Sequence, residues 1–265
     1  MVELRRTVRA NLGGGFAESL PSGANGHGGQ PAMSGLGTYY EFEIACSGIP
    51  DENTGYLVNI KQIDQAVRGT VLPRVHEQLL RDASVEPTGL LLTLAESLKP
   101  ELPTDLVSIR WNLSPTYSLE YRMASPNSVL LRQRFEFAAA HRLNVSSLSD
   151  DQNRDIFGKC NNPSGHGHNY ELEVCCRMDL NADPFTVAML ESIVDRVVIQ
   201  RFDHKHLNLD TEEFASETGL NPSVENIAKV CFDLLSPAVA EGSGNPKLEH
   251  VTVWETPKTS CTYPG

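Results

Sequence analysis

Positive charge is scarce. The chain carries 22 lysines and arginines against 34 aspartates and glutamates, for a formal net charge of -12. Binding to nucleic acid depends on a basic surface that displaces counterions, so no nucleic-acid partner is expected, and an anionic ligand would need a local positive pocket. Long apolar runs are also missing, which argues against a membrane partner. The opening residues, MVELRRTVRANLGGG, hold no apolar core of the signal-peptide kind. The cysteines are Cys46, Cys160, Cys175, Cys176, Cys231 and Cys261, and no two are spaced Cys-x-x-Cys. Cys175 and Cys176 adjoin in strand-like sequence and would face opposite ways. This usage excludes a disulfide scaffold and points to a reduced, cytoplasmic protein with buried thiols.

What is present is globular: 265 residues, 40% hydrophobic and 21% charged, enough for one large domain or two ordinary ones. A weak strand over 7–12 is followed by residues 13–37, which carry nine glycines and little that could form a core. That stretch reads as a flexible insert. Tyr39 to Ala45 alternates as a strand. Ile60, Ile63, Val67 and Val71 fit one helix face, a second helix is predicted over 88–98, and strands follow near 106–112 and 117–122. Ser125-Pro126-Asn127 suggests a linker over 125–131, dividing a first unit, 1–124, from a second, 132–265. In the second, Arg134 to His141 and His168 to Arg177 read as strands, and Val187, Leu190, Val194 and Val197 mark a helix. A further helix is capped by Ser223, buries Ile227, Val230, Cys231 and Leu234, and is stopped by Pro237; strands over 250–254 and 259–263 close the unit.

The same order thus occurs twice. TYYEFEIAC (38–46) lies over HNYELEVCC (168–176), and SIRWNLSPTYSLEY (108–121) lies over HVTVWETPKTSCTY (250–263) without a gap. A tandem α+β protein of two β-β-α-α-β-β units is expected, each an antiparallel sheet with helices on one face. In these registers Leu36 stands for His166, Thr38 for His168 and Leu113 for Glu255, and where VHEQL (75–79) lies over DHKHL (203–207) Val75 stands for Asp203, so the first copy has lost every chemical group except His76 and reads as structural.

The chemistry is in the second copy. His166 and His168 are two apart in a strand and share a face, with Gly167 between them. His141, at the end of FAAAHRL, is the candidate third ligand. Three imidazoles and an open position make a catalytic zinc pattern; half-buried surface histidines are the alternative. Cys160 precedes the pair and the turn Pro163-Ser164-Gly165 can swing it back. Near a cation a thiol can serve as base or nucleophile, while bound to the metal it would close a structural His3Cys site. Asp203 beside His204 offers a carboxylate-imidazole pair, or a loop salt bridge. Glu255, at a strand end, can accept two N–H bonds from an amidine-like ring edge, or be a rim charge. Glu225 can be a first-turn dipole residue.

These residues carry a resemblance. FAAAHRL, FGKCNNPSGHGHNYELEV, FDHKHLN, PSVENIA and VWETP, in that order over about 132–263, resemble the 6-pyruvoyltetrahydropterin synthase family and its relative, the 6-carboxytetrahydropterin synthases of queuosine biosynthesis. The Cys-x5-His-Gly-His spacing is closer to the pyruvoyl enzymes of tetrahydrobiopterin biosynthesis. The first half shows the likeness weakly, through TGYLVNIKQID. The resemblance implies a T-fold whose sheets join edge to edge into a β-barrel, hence a homo-oligomer. It implies Zn2+ on His141, His166 and His168, Cys160 as general base with Asp203 and His204 in a proton relay, and a pterin ring held by Glu255 with help from Glu225. The implied activity is a lyase acting on 7,8-dihydroneopterin triphosphate, the alternative being a non-catalytic pterin- or zinc-binding relative. Two departures stand out. The Thr-Gly-x-x-x-Asn stretch survives only in the first half, as 54–59, and residue 224 is Val where the family has Thr or Ser.

Overall fold

The structure, a computed structural model, describes residues 1–12, 28–31, 33 and 36–264. Most of the glycine-rich stretch therefore lies outside the described residues. The chain divides into two compact units, Met1–Leu131 and Arg132–Gly265. Among the described residues no helix is long and apolar enough to cross a membrane, and all six cysteines are free.

In the first unit β1 (Val2–Leu12), β2 (Thr38–Gly48), β3 (Asp105–Asn112) and β4 (Tyr117–Arg122) form an antiparallel sheet in that order. The helices are α1 (Ile60–Ala66), α2 (Leu72–Arg81) and α3 (Pro87–Leu98). Asn59 caps α1 through its side chain, which accepts from the Lys61 N–H. Phe42, Ile44 and Ile109 of the sheet and Ile63, Val67, Val71, Leu91 and Leu94 of the helical layer are buried in one core. Ile60, expected on that face, is 45% exposed because it is the first residue of α1 and lies outside the packed turn.

The expected linker is mostly strand. Residues 123–127 turn, with the Ser128 N–H donating to the Ser125 carbonyl at 3.1 Å. β5 (Ser128–His141) begins at once, and Val129, Leu130 and Leu131 are buried. A β-branched and apolar run of this kind gains more from a sheet than from solvent.

The second unit orders its strands β5, β6 (His166–Asp179), β8 (Lys247–Thr256) and β9 (Thr259–Pro264), and the two-residue β7 (Lys205–His206) runs parallel to β5. Its helices are α4 (Asp150–Phe157), α5 (Val187–Val194), α6 (Gln200–Phe202), α7 (Leu207–Asp210) and α8 (Val224–Ala240). α8 lies on β8 and β9. It does not stop at Pro237 but runs to Ala240. Pro237 is exposed, so the one carbonyl its ring leaves unpaired can turn to water. The buried stripe of α8 continues through Leu235 and Val239 rather than Leu234.

The units share irregularities as well as order. A π-helical turn occupies Val67–Val71 in one and Asp195–Ile199 in the other, the register in which VHEQL lies over DHKHL. The extra residue in the second turn moves the buried position from the expected Val197 to Val198. The ladder slips between Ala45 and Cys46 in β2, and between Cys175 and Cys176 in β6. In the β3–β4 hairpin the N–H groups of Leu113 and Ser114 both donate to the Tyr117 carbonyl, a bulge. In the β8–β9 hairpin the register slips between Trp254 and Thr256.

Candidate metal centre

The end of β5 and the start of β6 bring three imidazoles together. His141 is fully buried. Its Nδ1 lies 2.7 Å from the Pro222 carbonyl, just ahead of α8. A carbonyl only accepts, so Nδ1 carries the proton and Nε2 presents a lone pair. Burial pushes the pKa of His141 down to about 4, and the Pro222 carbonyl opposes this only in part. His166 is shifted down too, by burial first and then by His168. Both rings are therefore neutral at pH 7, as metal ligands must be.

The Nε2 atoms of His141 and His166 are 3.1 Å apart. Glu255 adds a carboxylate oxygen 3.3 Å from His141 Nε2 and 3.6 Å from His168 Nε2. The four ligand atoms all lie within 4.8 Å of one another. Two ligands about 2 Å from a tetrahedral zinc stand about 3.3 Å apart, so the spacing fits that ion. A second observation agrees: His168 Nε2 is buried without a hydrogen-bond partner among the described residues. A buried polar atom left unpaired is costly unless a cation meets it. Zinc is a Lewis acid, and on these residues it would polarise a ligand's oxygens.

Cys160 is not among the four clustered groups. It sits in a 3-10 turn, Gly158–Asn161, after α4. Its carbonyl accepts from the Leu143 N–H at 2.9 Å, and the Gly165 N–H closes the following turn on the Asn162 carbonyl at 2.8 Å. Cys160 and His166 both line a cavity of about 640 Å3, within the range that holds small ligands. Arg142, Arg154 and Lys159 line it as well, with Asp150 as its acidic side chain. On a chain of net charge -12 this is the local positive pocket that an anionic ligand requires.

Asp203 and His204 are in contact, Nδ1 to Oδ2 at 2.7 Å. The Ala138 N–H, donating to Asp203 at 2.8 Å, and then His204 hold that carboxylate below its usual range. His204 adopts a left-handed backbone, φ 56°, and its side chain is 83% exposed. It lines a second cleft with His168, Lys205 and His206, not the cavity of Cys160. Glu225 lies in the first turn of α8, where the Ser223 hydroxyl holds it below the usual carboxylate range, and it is outside the ligand cluster.

Three contributors escape a reading of the sequence. Tyr170 is fully buried, stacks on Phe137 with centroids 5.0 Å apart, and sets its hydroxyl 3.4 Å from His141 Nδ1. Its signal was the alternation 166, 168, 170. α4 was announced by Ser149-x-x-Gln152, a capping box with both reciprocal bonds formed; it brings Arg154 to the cavity. The Pro222 carbonyl, as a backbone group, left no signal.

Residues 130–265 match the family model described as 6-pyruvoyl tetrahydropterin synthase. Over 138 residues the chain is 36% identical to human 6-pyruvoyl tetrahydrobiopterin synthase, covering 50% of this chain and 89% of that one. Over 140 residues it is 28% identical to 6-carboxy-5,6,7,8-tetrahydropterin synthase of Bacillus subtilis strain 168, covering 52% and 86%. The solved 6-pyruvoyl tetrahydropterin synthase of Caenorhabditis elegans matches at 34% identity and a TM-score of 0.44, over 52% of this chain and 96% of that one. With half of its length matched by the family model, the chain belongs to the 6-pyruvoyl tetrahydropterin synthase family.

Proposed function

We propose that the chain is a zinc-dependent lyase acting on 7,8-dihydroneopterin triphosphate, with its chemistry in the second unit. The carrying observation is the convergence of His141, His166, His168 and Glu255 beside a cavity lined by Cys160 and three cationic side chains. Arg142, Arg154 and Lys159 neutralise the triphosphate, and Cys160 removes a carbon-bound proton from the side chain. Moving that proton permits triphosphate elimination, or side-chain cleavage in the carboxy-forming relatives. Glu255 accepts two N–H bonds from the pterin ring edge, and Glu225 supports the ring nearby. Asp203 and His204 form a relay pair, and because His204 lines a different cleft from Cys160, relay and base would meet across copies of the chain. The units are copies of one ancestral unit, a reading supported by the shared π-helical turns and ladder slips.

Incubation of zinc-loaded protein with 7,8-dihydroneopterin triphosphate tests the proposal. Release of triphosphate and a tetrahydropterin product are expected; intact substrate after prolonged incubation sinks it. A non-catalytic pterin-binding role is favoured by one feature, the run from NADPFT straight into α5 without a counterpart of Thr54 to Asn59. Tight substrate binding without turnover would decide for it.

A further inference from the structure

Past the end of β5, residues 142–145 belong to no strand or helix. They are half-buried, and backbone N–H and C=O groups in such a segment need partners from elsewhere. Asparagine side chains supply most of them. Asn208 of α7 meets Arg142 twice: its Oδ1 accepts from the Arg142 N–H at 2.7 Å, and its Nδ2 donates to the Arg142 carbonyl at 3.1 Å. Asn153 of α4 does the same for Val145, at 2.8 and 3.0 Å. Asn221, ahead of α8, accepts from the Asn144 N–H at 3.1 Å. A side-chain amide holds an acceptor and two donors in one plane, so it can stand in for a neighbouring strand.

The remaining residue of the segment is tied to the thiol-bearing turn. The Leu143 N–H donates to the Cys160 carbonyl at 2.9 Å. Asn161, next in the chain, is 4% exposed. Its Nδ2 donates to the Leu143 carbonyl at 2.8 Å and to Asn144 Oδ1 at 2.9 Å, which uses both of its protons. Its own carbonyl accepts from Arg142 Nε at 3.1 Å. That bond fixes the plane of the guanidinium and leaves the two terminal nitrogens for the cavity that Arg142 and Cys160 line together. Asn161 thus holds at once the turn that carries the thiol and the side chain that carries the charge.

We propose that Asn161 is a positioning residue: its amide locks the turn of Cys160 to the 142–145 segment, so that the thiol and the Arg142 guanidinium face one cavity as a single rigid wall. A neutral amide does this without adding charge to the cavity. An apolar side chain of the same shape would orphan the Leu143 carbonyl. The chemical roles of Cys160 and Arg142 rest on the proposed function; their joint placement rests on these bonds alone.

The test compares the unaltered full-length chain with Asn161→Leu, which keeps the branched shape, and with Asn161→Ala. Alkylation of Cys160, located by peptide mapping, is timed with iodoacetate and with iodoacetamide, each rate normalised to that of 2-mercaptoethanol. A cationic cavity favours the anionic reagent, by about tenfold, and the preference should disappear in both variants. An unaltered chain without it, or variants that keep it, overturn the proposal. With 7,8-dihydroneopterin triphosphate, a misplacement of about 1 Å should cost about 100-fold in kcat, and KM should rise because Arg142 moves too. A merely structural role would lower the amount of active protein and leave KM alone, and that outcome also overturns the proposal. If the variants lose the reagent preference but no form turns over substrate, the lyase reading falls and the positioning stands. A measurement without variants guards against misfolding: in hydrogen exchange, the amides of Leu143, Asn144 and Val145 should be protected to a level comparable with β6. Free exchange there overturns the proposal.

Discussion

At the residue scale, the division between ligand and base can be checked at Cys160. Because its sulfur stays out of the cluster, Cys160→Ala should retain zinc, measured by metal analysis, and lose turnover about 100-fold or more, the usual scale of a proton-transfer group. Loss of zinc with the thiol would return the site to a closed structural type. His141 gives a pH signature in the metal-free chain. Its folded pKa, about 4, lies below the ordinary 6.5. Between those values the unfolded chain binds more protons, so stability is complete above pH 6.5 and falls as the pH is lowered through 4. The loss should be about 3 kcal/mol in denaturant unfolding and should flatten in His141→Gln. The imidazoles were legible because a strand's period of two puts His166 and His168 together whatever surrounds them. Glu255 was legible as chemistry, but its approach to the imidazoles was not, since a bulge breaks the alternation on which such readings depend.

At the element scale, the turn before β6 controls the centre. Gly165 has φ 70°, and an added Cβ would meet His206 Nε2 at 2.6 Å and the His141 carbonyl at 2.9 Å. His206 is thus packed over this glycine. Gly165→Ala should cost about 2–3 kcal/mol in thermal or denaturant unfolding and weaken zinc binding, since relief requires His141 or His206 to move. A wild-type affinity would mean that the turn does not position the ligands. Strands and helices were mostly visible in periodicity. What was not visible was irregular: the π-helical turn that moved the buried residue to Val198, and the passage of α8 through Pro237. Both depend on which groups face solvent, which one strand of sequence does not state.

At the scale of the whole molecule, the two units carry different things. The first holds Thr54 to Asn59, with Leu36 and Thr38 at the positions aligned with His166 and His168; the second holds the clustered imidazoles and lacks that stretch. If each supplies what the other has lost, the isolated segment 128–265 should turn over substrate less well than the full chain at equal zinc occupancy, and equal rates would show the first unit to be dispensable. The duplicate order was readable from two ungapped matches, whereas the boundary was not. Leu130 and Leu131 look alike in a linker or a strand until their burial within β5 is known.

The hairpin bulge has a wider consequence. A backbone kink has no chemistry of its own; it is a socket whose occupant sets the character of the spot. Leu113 and Glu255 occupy two such sockets in one polypeptide, so a charged corner and an apolar one differ by a side chain while the main chain keeps its course.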